Sequence, residues 1–285
     1  MSVSLLRRRA TRQVQRVSTT LSPPHGATSA PSPPSPSSPP PPSAHTLSAP
    51  STPSIGAPRP PPPSDATSPE SLAYTAALEA ELQALPALRA LREEADADEW
   101  YETRPHASIP ESARANKLTS GALRGPGRLA LFPLARVRKD ESKAVVFVHL
   151  GRGLCGHDGI VHGGLLAALL DDVLWRNAIL NLPEKAGMTV TLSLKYKAPT
   201  RADQFIIIKS ELVELEGRKA FVAGRVETLN GTLLVEADGL YIQPRSTKLL
   251  NKADIRQLIG DPPPDPALVG EGQRDKLKAS VVPPK

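Results

Sequence analysis

The stretch His157 to Asp172, HDGIVHGGLLAALLDD, carries two kinds of chemical equipment. His162-Gly163-Gly164 opens a leucine-rich run that reads as a helix, and the first N–H groups of a helix have no intrahelical partner and sit at the positive end of its dipole. Glycine at both positions lets a ligand come close to the chain. Such an end suits a developing oxyanion as well as a phosphate. Further along, Gly164, Ala167, Ala168 and Asp171 recur at i, i+3, i+4 and i+7 and form a stripe of small residues ending in an acid. Small side chains leave a slot, and the acid is a candidate general base or nucleophile.

Eight residues of helix separate Gly163 from Asp171, about 12 Å at 1.5 Å per residue, so the two cannot meet on one reacting carbonyl within a single chain. A two-fold dimer with antiparallel helices removes the difficulty, because the N–H donors of one copy then face the carboxylate of the other.

Each residue also has a plainer reading. Asp171 serves equally to hydrogen-bond a turn, His162 to hold a loop and Thr189 as an ordinary strand threonine. His157, His162 and Asp158 match no usual zinc spacing, and no basic partner is fixed beside Cys155 to activate its thiol. GRGLCG, residues 151–156, has the GxGxxG form of a dinucleotide loop. That fold needs alternating strands and helices, with an acid ending the second strand about twenty residues on. Asp171 and Asp172 fall inside the helix instead, and a hairpin series follows, so the glycine pattern is coincidental.

The elements that must position these residues can be read on either side. The helix runs from Gly163 to about Leu180 and ends before Pro183, with Leu165, Leu166, Leu169, Leu170 and Val173 as its apolar face. Before it, ALFPLARVRK and KAVVFVHL read as strands. After it come TVTLSLKYKAP, QFIIIKSELVEL, RKAFVAGRVETL and TLLVEADGLYIQ. Asn230-Gly231 predicts a two-residue type I′ hairpin and Glu216-Gly217 an equally tight connection, hence antiparallel pairing. The fold class is α+β: one long helix on a strongly curved antiparallel sheet, with the last strand ended by Pro244. Upstream, a helix capped by Ser68 or Ser71 carries Leu78, Leu82 and Leu85. Pro86 kinks or splits it before Leu88 and Leu91, giving one or two amphipathic helices packed on the domain that follows.

The ends of the chain have a different composition. Residues 1–69 hold six arginines against one acid, Asp65, so +5 of the formal charge of +6 lies outside the core. With no basic stripe and no recognisable module, nucleic-acid binding is not expected. On a helix, Leu6, Ala10, Val14 and Val17 form one stripe and Arg8, Arg9, Arg12 and Arg16 lie away from it, the pattern of a mitochondrial transit peptide over 1–22. Residues 23–69 form a Pro/Ser-rich disordered spacer and 246–285 a largely disordered tail with at most one short helix. No stretch is apolar for long enough to span a bilayer. The single cysteine rules out an internal disulfide.

GIVHGGLLAALLDD, MTVTLSLKYKAP and EGRKAFVAGRVETLNGTLLVEADGLYI resemble the hotdog-fold acyl-CoA thioesterases, specifically the phenylacetate-degradation type and its fungal mitochondrial members. The resemblance covers about residues 100–245, placing the hotdog domain at 104–245 behind a helical segment at 70–103. It implies a helix wrapped by the sheet, two subunits sharing a continuous sheet, as a homodimer or dimer of dimers, and sites at the interface. It implies hydrolysis of acyl-CoA to a carboxylic acid and free coenzyme A, without metal or cofactor, in mitochondria and most simply the matrix. The Gly163 N–H, aided by Gly164, would polarise the thioester carbonyl, and His162 would hold the loop or touch the substrate. Asp171 of the partner subunit would activate water or attack directly, and Thr189 would position the water. Lys195, Lys197 or Arg201 would meet coenzyme A phosphates, and the slot beside Gly164, Ala167 and Ala168 would hold the acyl chain. Many fungal relatives have Glu where this chain has Asp172, which leaves that second carboxylate without an assigned role. Two other readings stay open: a hotdog enoyl-CoA hydratase or dehydratase, and a non-catalytic acyl-CoA sensor or scaffold with the Pro-rich segment as docking arm.

Overall fold

The computed structural model describes residues 65–246, 255 and 258–260. The transit peptide, nearly all of the Pro-rich spacer and most of the C-terminal tail therefore lie outside the described residues. Pro69–Ala84 forms α1, with the Ser68 hydroxyl accepting from the Ser71 N–H at 3.2 Å and Pro69 in the first turn. A proline cannot donate to the helix ladder, so the chain breaks at Leu85 and restarts as α2, Pro86–Glu93. The central helix is α3, Gly163–Asn181.

Seven strands make one antiparallel sheet: β1 (Trp100–Thr103), β2 (Leu134–Arg138), β3 (Lys143–Leu150), β6 (Met188–Tyr196), β7 (Gln204–Glu216), β8 (Lys219–Thr228) and β9 (Leu233–Ile242), in the order β1-β2-β3-β7-β8-β9-β6. Two short strands, β4 (Cys155–His157) and β5 (Ile160–Val161), pair separately just before α3. The sheet wraps α3, whose Leu165, Leu166, Leu169, Leu170, Leu174 and Ile179 share one core with Val146, Val148, Ile206, Ile208, Val222 and Val235. Gly224 permits the closest approach, since a Cβ there would stand 2.4 Å from a Leu174 methyl.

Why β3 and β7 read as unbroken apolar runs follows from what covers their backs. Val145, Phe147, Phe205 and Ile207 point away from α3 and pack under Leu78, Leu82, Leu85 and Leu88 of α1 and α2. Strands buried on both faces need no polar alternation. The Glu102 carboxylate binds Arg92 of α2 at 2.7 Å and Arg136 of β2 at 3.0 Å, fastening the helical pair to the sheet's first strands.

Three details depart from the sequence reading. Trp100–Thr103, placed there in the helical segment, is an edge strand pairing with Ala135–Arg138. The β8–β9 connection is not a two-residue type I′ turn: only Gly231 takes a positive φ, of 83°, and its N–H bonds the Thr228 carbonyl at 3.0 Å while the Thr228 N–H bonds the Thr232 carbonyl. That is the three-residue hairpin in which a single left-handed glycine follows an ordinary turn. The tail, expected to contribute little, places Ile255 and Ile259 in the core, and the Ile259 carbonyl accepts from Arg176 Nε at 2.8 Å.

Candidate active site

The entry to α3 is fixed by a local hydrogen bond. His162 is the residue that caps the helix, and its Nδ1 accepts from the Gly164 N–H at 2.9 Å. An accepting Nδ1 leaves the ring proton on Nε2. His162 therefore ties the loop to the helix start, and the Gly164 N–H is committed to that cap rather than free to aid a substrate oxygen. The Gly163 N–H has no acceptor among the described residues, while its carbonyl accepts from the Tyr196 hydroxyl at 2.8 Å. A Cβ at Gly163 would meet the Tyr196 ring at 3.3 Å.

The glycines of GRGLCG turn out to serve packing. A Cβ on Gly151 would fall 2.2 Å from the Gly127 carbonyl oxygen, one on Gly153 2.8 Å from Arg128, and one on Gly156 2.9 Å from the His162 ring. They let two loops and the capping histidine nest together, and the sheet that follows is antiparallel throughout. Burial pushes the Cys155 thiol up, which keeps it protonated and a poor nucleophile.

Two turns along α3, Asp171 collects hydroxyls. Its Oδ1 accepts from Thr189 Oγ1 at 3.0 Å and from the Tyr241 hydroxyl at 3.3 Å. Those two donors are register partners across β6 and β9, and the ladder slips by one residue immediately after Thr189. Such a bulge re-aims the strand beside it. Tyr241 is fully buried and reaches Asp171 because Gly239, two residues back on the same face, has no side chain: a Cβ there would lie 2.5 Å from the ring. Burial first, and then the Asp171 charge, push the Tyr241 phenol far up, so it stays a donor at any ordinary pH. Asp171 Oδ2 has no hydrogen-bond donor among the described residues and remains available to bind or deprotonate another molecule. Neither Tyr241 nor Gly239 stood out in the sequence, since a tyrosine and a glycine in a strand are ordinary.

Asp172, next on the helix, faces a different neighbourhood. Burial pushes its carboxyl up to about 6, with Asp171 adding to the shift and the Thr119 hydroxyl opposing it. His106 Nε2 lies 3.9 Å from Asp172 Oδ2. The imidazole is nevertheless held neutral, pushed down to about 4 by burial and by Arg124 and Lys117, so the contact is no ion pair near neutrality. His106 also adopts a left-handed φ of 68°, rare for a residue with a side chain.

Two hollows adjoin these groups. One, of about 250 Å³, is lined by Asp171, Asp172, Thr189 and His106 with mostly apolar neighbours. The other, of about 350 Å³ and more open, lies at the start of α3 beside Cys155, His162, Gly164 and Ala168; Ala167 is not part of its lining. Lys195 and Lys197 stand exposed on and just after β6, and Lys197 is tied to Glu236 at 2.9 Å. Among the described residues no group of three or more His, Cys, Asp or Glu side chains is placed to share a metal ion.

A helix gripped by a curved antiparallel sheet, opened by His-Gly-Gly and carrying an acid two turns on, defines a hotdog-fold protein. A family model described as the thioesterase superfamily matches residues 158–235. An uncharacterized protein of Schizosaccharomyces pombe is 30% identical over 175 residues, 60% of this chain and 95% of that one. A protein of Candida albicans named as an uncharacterized mitochondrial protein is 26% identical over 144 residues, 48% of this chain and 65% of its own length. The acyl-coenzyme A thioesterase THEM4 of Mus musculus is 34% identical over 106 residues, 37% of this chain and 45% of that protein. The chain thus spans less than two thirds of the latter two relatives. It belongs to the thioesterase superfamily of hotdog-fold proteins.

Proposed function

We propose that the protein is an acyl-CoA thioesterase that works as a homodimer in mitochondria. The observation that carries this reading is Asp171, whose Oδ1 is saturated by two hydroxyls while Oδ2 is left free beside a cavity. Asp171 Oδ2 takes a proton from a water molecule whose oxygen attacks the thioester carbonyl carbon. The resulting oxyanion is met by the Gly163 N–H of the other copy. When the tetrahedral carbon collapses, the C–S bond breaks, the carboxylic acid is released and the proton passes from Asp171 to the coenzyme A thiolate. A thiolate leaves readily, so oxyanion stabilisation and an aligned water supply most of what is needed. Thr189, with its hydrogen committed to Asp171, retains lone pairs to accept from that water.

The dimer is supported by two features. Gly163 and Asp171 lie about 12 Å apart on one straight helix. In addition, β6 pairs only with β9 among the described residues, and its Met188, Val190 and Tyr196 are exposed at 57%, 53% and 54%. Two such edges pairing about a two-fold axis cover that surface and set the two α3 helices side by side in opposite directions. Lys195, with Arg201 beyond it, is the basic group available to coenzyme A phosphates. The basic amphipathic N-terminus and the mitochondrial name of the Candida relative support the location. A reporter fused to residues 1–30 tests import, and a cytosolic signal reverses it.

Purified protein assayed with acyl-CoAs by release of free thiol tests the activity, with Asp171→Asn expected to lose turnover by about 10³-fold or more. Unchanged turnover in that variant ends the assignment of Asp171. Tight acyl-CoA binding with no turnover in the wild type favours a sensor instead.

A further inference from the structure

The roof of the 250 Å³ cavity comes from outside the segment that the family model matches. Its floor is α3, with Leu169, Val173 and Trp175, and the inner face of β3, with Val146 and Val148. Over these lie Leu129, Leu131, Phe132 and Pro133, preceded by Pro105 and His106 and joined from the tail by Leu258. All of the roof residues precede residue 158 or follow residue 235, the limits of the match. The roof is rigidly held: the Arg124 guanidinium lies 4.0 Å over the Phe132 ring and donates to the Ala130 and Leu131 carbonyls. The polar groups that reach the cavity are largely engaged with protein. Arg124 is held as just described, Arg176 donates to the Ile259 carbonyl and the Tyr101 hydroxyl, and Asp172 is bonded by Thr119. What remains for a guest is a mostly apolar wall with Asp171 and Thr189 at one place on it, and beside them His106, whose buried Nδ1 has no partner among the described residues.

We propose that this roofed cavity is the acyl chamber, and that it takes an acyl group of about ten carbons or fewer; the proposal rests on the thioesterase reading above. A thioester carbonyl at Asp171 Oδ2 directs its alkyl chain among Leu129, Leu131, Val146, Val148 and Leu169. An apolar cavity of about 150 Å³ holds the six carbons of benzene, so by proportion 250 Å³ holds about ten. Each methylene that enters adds about fourfold to kcat/KM, the factor that corresponds to burying one CH₂. Beyond the chamber's capacity the gain stops. This places the acyl chain elsewhere than the slot beside Gly164, Ala167 and Ala168, of which Gly164 and Ala168 line the open hollow at the start of the helix.

The test is a panel of straight-chain acyl-CoAs from C4 to C18 on wild type, Val173→Phe and Leu129→Ala, with thermal melts to establish that each variant folds. Wild-type kcat/KM should climb to about C8–C10 and fall by C16. Filling the chamber with Val173→Phe should move the optimum to shorter chains, and emptying it with Leu129→Ala to longer ones. Hydrolysis with the same optimum in all three proteins overturns the chamber while leaving the thioesterase reading intact. Absence of hydrolysis with every acyl-CoA overturns the thioesterase reading instead. In that case decanoate binding measured by calorimetry decides the chamber on its own: binding by wild type that is lost in Val173→Phe supports it, and no binding by wild type sinks it.

Discussion

Thr189, on the free edge strand, donates its hydroxyl across 3.0 Å to Asp171 in the middle of the central helix, on the same carboxylate oxygen that accepts from Tyr241. Two neutral donors on one oxygen orient the carboxylate and leave its other oxygen to do chemistry. The arrangement is intramolecular, so a single chain orients the acid by itself.

Tyr241→Phe removes one of those donors without changing ring packing. The expected result is a fall in kcat of about tenfold with KM little altered, the size of one hydrogen bond of roughly 1–1.5 kcal/mol. Gly239→Ala should act on the same contact more harshly, because its Cβ drives the Tyr241 ring off a position 2.5 Å away. Overpacking of this kind costs about 1–3 kcal/mol of stability. Steady-state kinetics on the first variant and a thermal melt on the second read these effects; wild-type values in either remove Tyr241 from the site.

Gly163→Pro deletes the unpartnered N–H at a position whose backbone suits proline, the first residue of a helix preceded by an extended residue, His162 at φ −63° and ψ 129°, with the exposed Tyr196 ring, 3.3 Å from the added Cβ, giving way by a few tenths of an ångström. Turnover should drop about 10²–10³-fold, the usual loss for one oxyanion donor. Mixing this inactive variant with inactive Asp171→Asn should restore about a quarter of wild-type activity, because half of the randomly re-formed dimers are mixed and each carries one intact site. No recovery after subunit exchange, verified by mass spectrometry, would argue that both groups act within one chain.

Asp172 yields a prediction about pH. Its folded pKa of about 6 stands above the 3.8 of an ordinary aspartate, so the folded state holds the proton more tightly than the unfolded chain. The stability this contributes is present below about pH 4 and lost as the pH rises through 6, leaving a buried charge at neutrality. Asp172→Asn should therefore melt higher than wild type at pH 7.5 and lose that advantage between pH 6 and 4. With 35% of the side chain still open to water, the gain at neutral pH is about 1 kcal/mol rather than the full value of the shift. An equal advantage at pH 7.5 and pH 4 would mean that the carboxylate is not the cause.

Much of the architecture was legible because the governing signals are local. The leucine spacing of α3, the β-branched runs of β6 to β9 and the glycine turns between them each depend on a few neighbouring residues. That Gly163 opens the helix with its N–H unpartnered, and that Asp171 follows about two turns on, was legible for the same reason. Tyr241 was not, since its reach to Asp171 is set by a strand register 70 residues away and by the missing side chain of Gly239. β1 was hidden because four residues in a charged run have too short a pattern to read, and its partner lies more than thirty residues on. Leu258 apart, the cavity roof lies between Thr103 and Leu134 and has little periodic structure, so neither His106 nor Phe132 announced what it would cover.

The two leucine-bearing helices at the front of the chain lie on the outside of β2, β3 and β7. That surface would otherwise be the natural place for one sheet to lean against another. Stacking there requires lifting Leu78, Leu82 and Leu88 out of their seats, whereas the rim of β6 carries no second strand among the described residues.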